Sequence, residues 1–285
     1  MASGHHQVVE IGVIRRFSKW VYYLGSIFTL LFGFKNWWEV IRIFLFKTTG
    51  EVRTLIVRKP RLLINVRSKM DVWSVKEALL DRFYTRCGTE IGENWSVLDI
   101  GAAIGEFTLL AALHASKGRV IAYEPYSESF ELLRDNLSLN SIDNVIIHKV
   151  AVWSKEEDLE LDFSLAEPLQ MKSEKPDSNH AHSHIISQSV SLQQALVQNH
   201  VNHLDLLKLD CEGAEFPILL EVEPDILHRV DRVIMEYHDG YQGHHHEELV
   251  ELFSNNGYHV KVTPNVVHAE LGYLYAEKYS QKKNP

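Results

Sequence analysis

The run Trp95-Ser96-Val97-Leu98-Asp99-Ile100-Gly101-Ala102-Ala103-Ile104-Gly105-Glu106-Phe107 leaves the chain few ways to fold. It reads as a buried strand ending at Asp99, a glycine turn, and a helix starting near Glu106. Gly101 supplies a position where φ can be positive, and Gly105 lets the helix start approach a ligand with no Cβ in the way. A helix N-terminus aimed at that gap carries partial positive charge and free N–H groups. Those groups suit an anion, either a phosphate or a carboxylate.

Spacing separates these two options. A dinucleotide fingerprint is G-x-G-x-x-G, whereas here Gly101 and Gly105 are separated by three residues, and no G-x-x-x-x-G-K-[ST] occurs. An acid at the strand end is awkward beside a pyrophosphate. It suits a cationic ligand that also carries an amino-acid carboxylate, and S-adenosylmethionine is such a ligand. A second strand, Arg119-Val120-Ile121-Ala122-Tyr123, runs into Glu124-Pro125. Glu124 lies 19 residues beyond Gly105, where a carboxylate for ribose hydroxyls is expected. The competing reading is an ordinary turn plus a surface Glu.

A chain of 285 residues, 45% apolar, can bury one sizeable core. One main domain over 70–280 with an N-terminal extension over 1–69 is the expected organisation. A net charge of −9 argues against a general nucleic-acid binder. Cys87 and Cys211 make no disulfide framework, so a reducing, cytoplasmic setting is the simple expectation.

Within the extension, residues 1–10, with His5 and His6, are set aside as poorly patterned. Residues 17–46 are rich in Trp, Tyr, Phe, Leu and Ile, but the longest uncharged run, Trp20 to Phe34, is 15 residues. A spanning helix needs about 20. No small-residue cleavage site follows, which argues against a signal peptide. Two readings stand: helices packed on the main domain or on a second copy of the chain, as in a homodimer, or helices lying in a membrane interface. Residues 51–69 read as two short strands around Lys59-Pro60. Asp71 is expected to cap a helix burying Val72, Val75, Leu79 and Phe83. These pieces together read as a cap in front of the cofactor strand.

Beyond it, strand and helix alternate as in a doubly wound domain. A helix capped by Ser127 presents Phe130, Leu133 and Leu137, and Asn144 to His148 forms a third strand. Ala151 to Trp153 continues that strand or begins an edge. Residues 164–188 are polar, with His180, His182 and His184, and read as an insertion or a lid. Ser191-x-x-Gln194 is a capping box.

Leu204 to Glu215 is the second informative stretch. A buried strand ends in Asp210, with Glu212, Gly213 and Glu215 within one turn, and Pro217 suits the next helix. Ligands in open parallel sheets bind beyond the carboxyl ends of strands. Asp99, Glu124, Asp210 and Glu212 would share that crevice, balanced by a cationic ligand and by Lys208, a candidate substrate contact with Glu212. A fifth strand, Arg232 to His238, ends with Glu236 and His238, the latter a natural general base near neutral pH. A divalent ion on Asp210, Glu212 and Glu236 would lower an acceptor's pKa, but no ligand spacing here is diagnostic. His244-His245-His246 read more simply as a solvated loop. Two strands from Tyr258 to Val262 and Gly272 to Ala276 close the sheet as an antiparallel pair.

Asp99-Ile-Gly-Ala-Ala-Ile-Gly105, Ala122-Tyr-Glu-Pro125, Leu207-Lys-Leu-Asp-Cys-Glu-Gly-Ala-Glu215 and Glu236-x-His238 resemble the FkbM family of S-adenosylmethionine-dependent methyltransferases. The likeness runs over roughly residues 70 to 277. It implies a Rossmann-like class I methyltransferase, an α/β fold with a central, mostly parallel seven-stranded sheet and helices on both faces. It also implies O-methylation of small-molecule, sugar or polyketide hydroxyls. The cofactor contacts would be Asp99, Gly101, Ala102, Gly105, Glu124 and Pro125, and the acceptor would meet His238, Asp210 and Glu236. Ala103 stands where the family usually carries Asn. The rival classes are a nicotinamide-dependent oxidoreductase, which the missing third glycine opposes, and a catalytically idle scaffold or membrane-surface adaptor.

Overall fold

The computed structural model describes residues 20–46, 51–163, 170–172 and 183–279. His5, His6, His180 and His182 lie outside the described residues. Strands β3 (Ser96–Ile100), β4 (Arg119–Tyr123), β5 (Val145–His148), β10 (Leu206–Leu209), β11 (Arg232–His238), β12 (Tyr258–Pro264) and β13 (Leu271–Lys278) form one sheet. Its order is β12-β13-β11-β10-β3-β4-β5, parallel from β5 through β11 and antiparallel at β13 and β12. This is the seven-stranded, mostly parallel sheet expected for the class I methyltransferase fold. Its first reversal of strand order falls between β3 and β10, where an open α/β sheet opens a crevice at its carboxyl edge.

The register decides which side chains share a face. Asp99 pairs with Lys208 and Ala122, and Lys208 with Ile234. Residues paired across parallel strands point the same way and alternate along each strand. One face therefore carries Leu98, Ile100, Ile121, Tyr123, Leu207, Leu209, Val233 and Met235, packed on α7 (Leu192–Gln198), α8 (Glu215–Leu220), α9 (Pro224–Leu227) and α10 (His246–Asn255). The opposite face carries Asp99, Lys208 and Glu236 beside Val97, Val120 and Ile234, and packs on α5 (Glu106–His114). Helix α6 (Ser127–Leu139) joins α5 there through Leu132, Leu133 and Leu137.

The region before β3 builds a third layer on that side. A helix over residues 20–33 (α1) leads into α2 (Trp37–Leu45), then the hairpin β1 (Arg53–Val57) and β2 (Leu62–Val66). Leu30, Phe34, Val40, Ile43, Leu55 and Ile64 join Leu109, Leu133 and Leu137 in one cluster. Each such buried side chain contributes about 1.5–3 kcal/mol relative to exposure. The hairpin rests on α6, whose Asn136 and Asn140 accept the N–H groups of Asn65 and Leu63 at 2.6 and 2.9 Å. Those amides satisfy the edge strand's backbone. The expected cap over the ligand is thus a buttress behind α6, and its exit residue Arg67 reaches the crevice rim over the Tyr126 ring at 5.3 Å.

Three local expectations are corrected. Ser68, not Asp71, caps α3 (Lys69–Val75), with Asp71 returning the bond as the third helical residue of a capping box. The helix expected to run to Phe83 breaks into a π turn (Lys76–Leu80) and α4 (Phe83–Cys87), with Arg82 left-handed between them. Ser127 is the first helical residue of α6 and makes no side-chain cap; Tyr126 stands before it. Within 164–188, residues 170–172 (β8) and 183–188 belong to strands. With β6 (Ala151–Trp153), β7 (Asp158–Phe163) and the full β9 (Ser183–Ser191) they form a second sheet ordered β6-β9-β7-β8.

Candidate functional site

The turn after β3 is wound tightly. Gly101, Ala103 and Gly105 have φ of 75°, 47° and 93°. A Cβ on Gly101 would sit 2.0 Å from the Asp210 carbonyl oxygen, so glycine is needed where the β3 and β10 exits cross. The expected reason for Gly105 changes: its Cβ would strike Leu133 of α6 at 2.5 Å, so it serves helix packing.

The expectation that turn N–H groups meet the cofactor is corrected more sharply. Gly101 and Ala102 donate to the Tyr123 carbonyl at 3.1 and 3.0 Å, and Gly105 donates to the Ala102 carbonyl at 2.8 Å. Ala103 donates to Glu124 Oε2 at 2.8 Å. These four donors are spent inside the protein. What the turn offers an anion is the start of α5, whose cap, Gly105, has no side-chain bond.

Asp99 is fully buried and does not line the crevice. Its Oδ1 lies 2.9 Å from Lys208 Nζ, and its Oδ2 accepts from Thr108 Oγ1 at 2.6 Å. Lys208 also donates to the Gly101 carbonyl at 2.8 Å beneath the rings of Tyr84 and Phe107. Burial opposes its charge, but Asp99 and Asp210 hold its pKa above the ordinary lysine value. The ammonium expected to contact substrate is therefore a strut under the loop.

Glu124 is where the second strand was expected to deliver it. Its carboxylate is 3% exposed and oriented by Ala103 N–H on one oxygen and Tyr126 N–H, at 2.8 Å, on the other, with buried Pro125 between. Glu106, the first residue of α5, was read only as a helix start. It is buried, accepts from Ser74 Oγ at 2.6 Å on Oε1, and leaves Oε2 without a partner. Burial lifts both carboxyls to about 7, with Glu106 adding to the rise at Glu124 and Asp99 to that at Glu106. An unpartnered buried carboxylate oxygen and a pre-oriented neighbour fit an ammonium and a ribose hydroxyl pair. The residues present thus fit the cofactor that the resemblance implies.

The other half of the crevice lies at the ends of β10 and β11. Asp210 Oδ2 accepts from Tyr84 Oη at 2.5 Å, a contact spanning 126 positions. Burial, then Asp210, raise the Glu236 pKa well above the carboxylate range. Burial also lifts Glu77, on the π turn, to about 7, with Asp210 adding to it. His238 sits between two carboxylates: Nδ1 is 2.5 Å from Glu215 Oε1 and Nε2 is 3.2 Å from Glu212 Oε2. Burial lowers its pKa, yet Glu215 and Glu212 outweigh it and hold the imidazole well above its usual value. Carboxylates on both ring nitrogens favour the charged imidazolium, and so a positioning role over the general base expected of His238.

Ligand atoms of Asp210, Glu212 and His238 lie within 4.8 Å of one another. A metal held there would need the Nε2 lone pair and would have to displace the proton that Glu212 draws onto that nitrogen. The histidine run is also accounted for: His246 bonds Asp239 at 2.8 Å and stacks on Tyr237, and His244 bonds Glu248 at 2.9 Å. Tyr84, Glu77, Glu106 and Glu215 enter the site without having been singled out from sequence. Only Glu215, inside the Lys208-to-Glu215 string and at the head of a helix, carried a local signal.

Comparison with known proteins gives the family. The methyltransferase FkbM domain matches residues 99–260. Methyltransferase 1 of Beauveria bassiana is 24% identical over 195 residues, covering 61% of this chain and 77% of its own. The 31-O-demethyl-FK506 methyltransferase FkbM of Streptomyces tacrolimicus is 26% identical over 240 residues, 73% of this chain and 90% of its own. A solved FkbM methyltransferase from Methylobacillus flagellatus superposes with a TM-score of 0.44 at 14% identity, over 73% of this chain and 54% of that one. With more than half its length inside the matched domain, the chain belongs to the FkbM methyltransferase family.

Proposed function

We propose that the protein transfers a methyl group from S-adenosylmethionine to a hydroxyl oxygen of a small-molecule, sugar or glycan acceptor. The observation that carries this reading is the division of one crevice into two acidic halves. Glu124 and Glu106 flank the start of α5, and Asp210, Glu236 and Glu77 cluster at the ends of β10 and β11. The relative from Streptomyces tacrolimicus carries an O-methylation in its name, which favours an oxygen acceptor.

When bound, the cofactor supplies an electrophilic methyl group on a cationic sulfur. Glu124 is the acceptor for ribose hydroxyls, Glu106 Oε2 the partner of the ammonium, and the first N–H groups of α5 the partners of the carboxylate. In the other half, Glu236 takes the hydroxyl proton as the new C–O bond forms and the S–C bond breaks. Burial and Asp210 raise its carboxyl well above the usual range, which makes the ionised form a stronger base than an ordinary carboxylate. Asp210, fixed by Tyr84, orients the hydroxyl. The imidazolium of His238 balances Glu212 and Glu215. Positioning in such an in-line displacement supplies up to about 7–11 kcal/mol of the barrier.

Calorimetric titration with S-adenosylmethionine and, separately, NADH, on the wild type and Glu124→Ala, tests the cofactor half. S-adenosylmethionine binding that weakens in the variant is expected, and NADH binding in its place overturns the reading. Methyl-labelled cofactor offered to hydroxyl and amine acceptors tests the other half. Label appearing on amines alone overturns O-methylation.

A further inference from the structure

Helix α1 is apolar all round, with no charged side chain from residue 20 to residue 34. Such a helix is normally buried on every side, and α1 is not. Its inner stripe, Ser26 and Leu30 with Tyr22 against Trp73, packs on the protein. Its outer stripe, Trp20, Leu24, Ile27, Phe28 and Phe32, is 52–73% exposed. Helix α2 continues this outer face with Trp38 at 52%, Leu45 at 73% and Phe46 just beyond it at 62%. Of twenty large apolar side chains exposed among the described residues, eleven fall within 20–46. The exposure is concentrated in this one segment rather than scattered, and exposed apolar surface gathered in this way marks interaction surfaces.

Charge decides what covers it. Residues 1–69 carry twelve Lys and Arg against three acids, net +9, while residues 70–285 carry 17 against 35, net −18. Exposed Lys35, Arg58 and Lys59 gather where α1 turns into α2, because Phe34 bridges to Val57 and Arg58 N–H bonds the Gly33 carbonyl at 2.8 Å. A second copy docking through this face would oppose two basic extensions. An anionic lipid surface attracts the extension and repels the body, which also fixes orientation. Tryptophan at Trp20, Trp37 and Trp38 suits the boundary between headgroups and acyl chains.

We propose that the outer face of α1 and α2 docks in the plane of an anionic phospholipid bilayer, with the acidic catalytic body held above it. The helix lies on the surface: its described part, fourteen residues over 20–33, spans about 21 Å, against about 30 Å of hydrocarbon. No helix among the described residues is long and apolar enough to cross a membrane. This inference stands apart from the methyl-transfer reading.

Flotation of the full chain with phosphatidylcholine vesicles, with and without phosphatidylserine, tests it. The wild type is expected to float with the phosphatidylserine vesicles and to release as salt rises. Phe32→Ser combined with Trp38→Ser is expected to weaken binding at least about tenfold, since two buried aromatics are lost. Both positions are exposed, so far-UV dichroism and thermal unfolding of the variant should match the wild type. Lys35→Glu with Lys59→Glu should weaken the charge-dependent part alone. Absence of flotation overturns the proposal, as does flotation that both variants leave unchanged. A dimer in solution that the aromatic variant splits, without vesicle binding, assigns the face to a second copy and also overturns it.

Discussion

Lys208 Nζ and Asp99 Oδ1 meet at 2.9 Å across neighbouring parallel strands, the lysine side chain 3% exposed and the aspartate sealed. Register makes the pair, since Lys208 lies opposite Asp99 on the face that packs on α5. The lysine also ties the Gly101 carbonyl, so one ammonium fastens β3, β10 and the turn between β3 and α5. Lys208→Met strands a buried carboxylate, and unfolding stability should fall by about 3–5 kcal/mol. Adding Asp99→Asn should recover a good part of that. Urea unfolding of the two variants checks it, and an equal loss in both would refute the strut.

Acid pH should strengthen the ligand-free protein over a defined window. Glu106 and Glu124 rise from ordinary carboxylate values to about 7 through burial. A carboxyl raised in the folded state binds more protons there than in the unfolded chain, so stability falls as pH climbs between the two values. The window runs from about 4.5 to about 7, and each group accounts for about 3 kcal/mol across it. Thermal unfolding at a series of pH values should show this decline. Glu124→Gln, which removes one titrating group, should flatten it, and an unchanged slope would remove Glu124 from the account.

His238 tests the difference between a base and a charge. With Glu215 on one ring nitrogen and Glu212 on the other, the imidazolium survives above ordinary histidine pH. Glu215→Gln should lower the His238 pKa, read from the imidazole proton shifts by NMR. In turnover, His238→Gln keeps a donor between the two acids and should lose within about tenfold. His238→Ala should lose about a hundredfold or more. Equal losses would return the base role to His238.

The sheet was readable because its signals are local: apolar runs of four or five residues, each closing on an acid at Asp99, Glu124 or Asp210. The gathering of acids at the carboxyl edge was readable in outline, since strand ends in such a sheet converge. The finer assignments failed where partners come from elsewhere. Nothing near Gly101 or Ala102 tells that the Tyr123 carbonyl consumes both N–H groups. Tyr84 reaches Asp210 from 126 positions away through a short helix entered by a left-handed Arg82. Lys208 looked free because its partner, Asp99, shares a sheet register that no spacing reveals. For α1 the packed and the membrane-interface readings stood side by side, because an apolar stripe carries no mark of which side will be covered.

Ala103 holds φ at +47°, a left-handed conformation, with its N–H bonded to Glu124. An L-residue with a plain methyl side chain pays about 1–2 kcal/mol there, whereas Asn tolerates the region through local hydrogen bonding. The family usually carries Asn at this position, and the geometry supplies a conformational reason beyond any polar contact. Ala103→Asn should stabilise the ligand-free chain by about 1 kcal/mol, a rise of about 2 °C in Tm for a chain of this size. It should also hold the Glu124 carboxylate more firmly, so affinity for S-adenosylmethionine should rise rather than fall. Differential scanning calorimetry and titration on the same preparation read both effects. A lower Tm together with weaker binding would show that Ala103 is not strained and that its methyl group is packed for a purpose of its own.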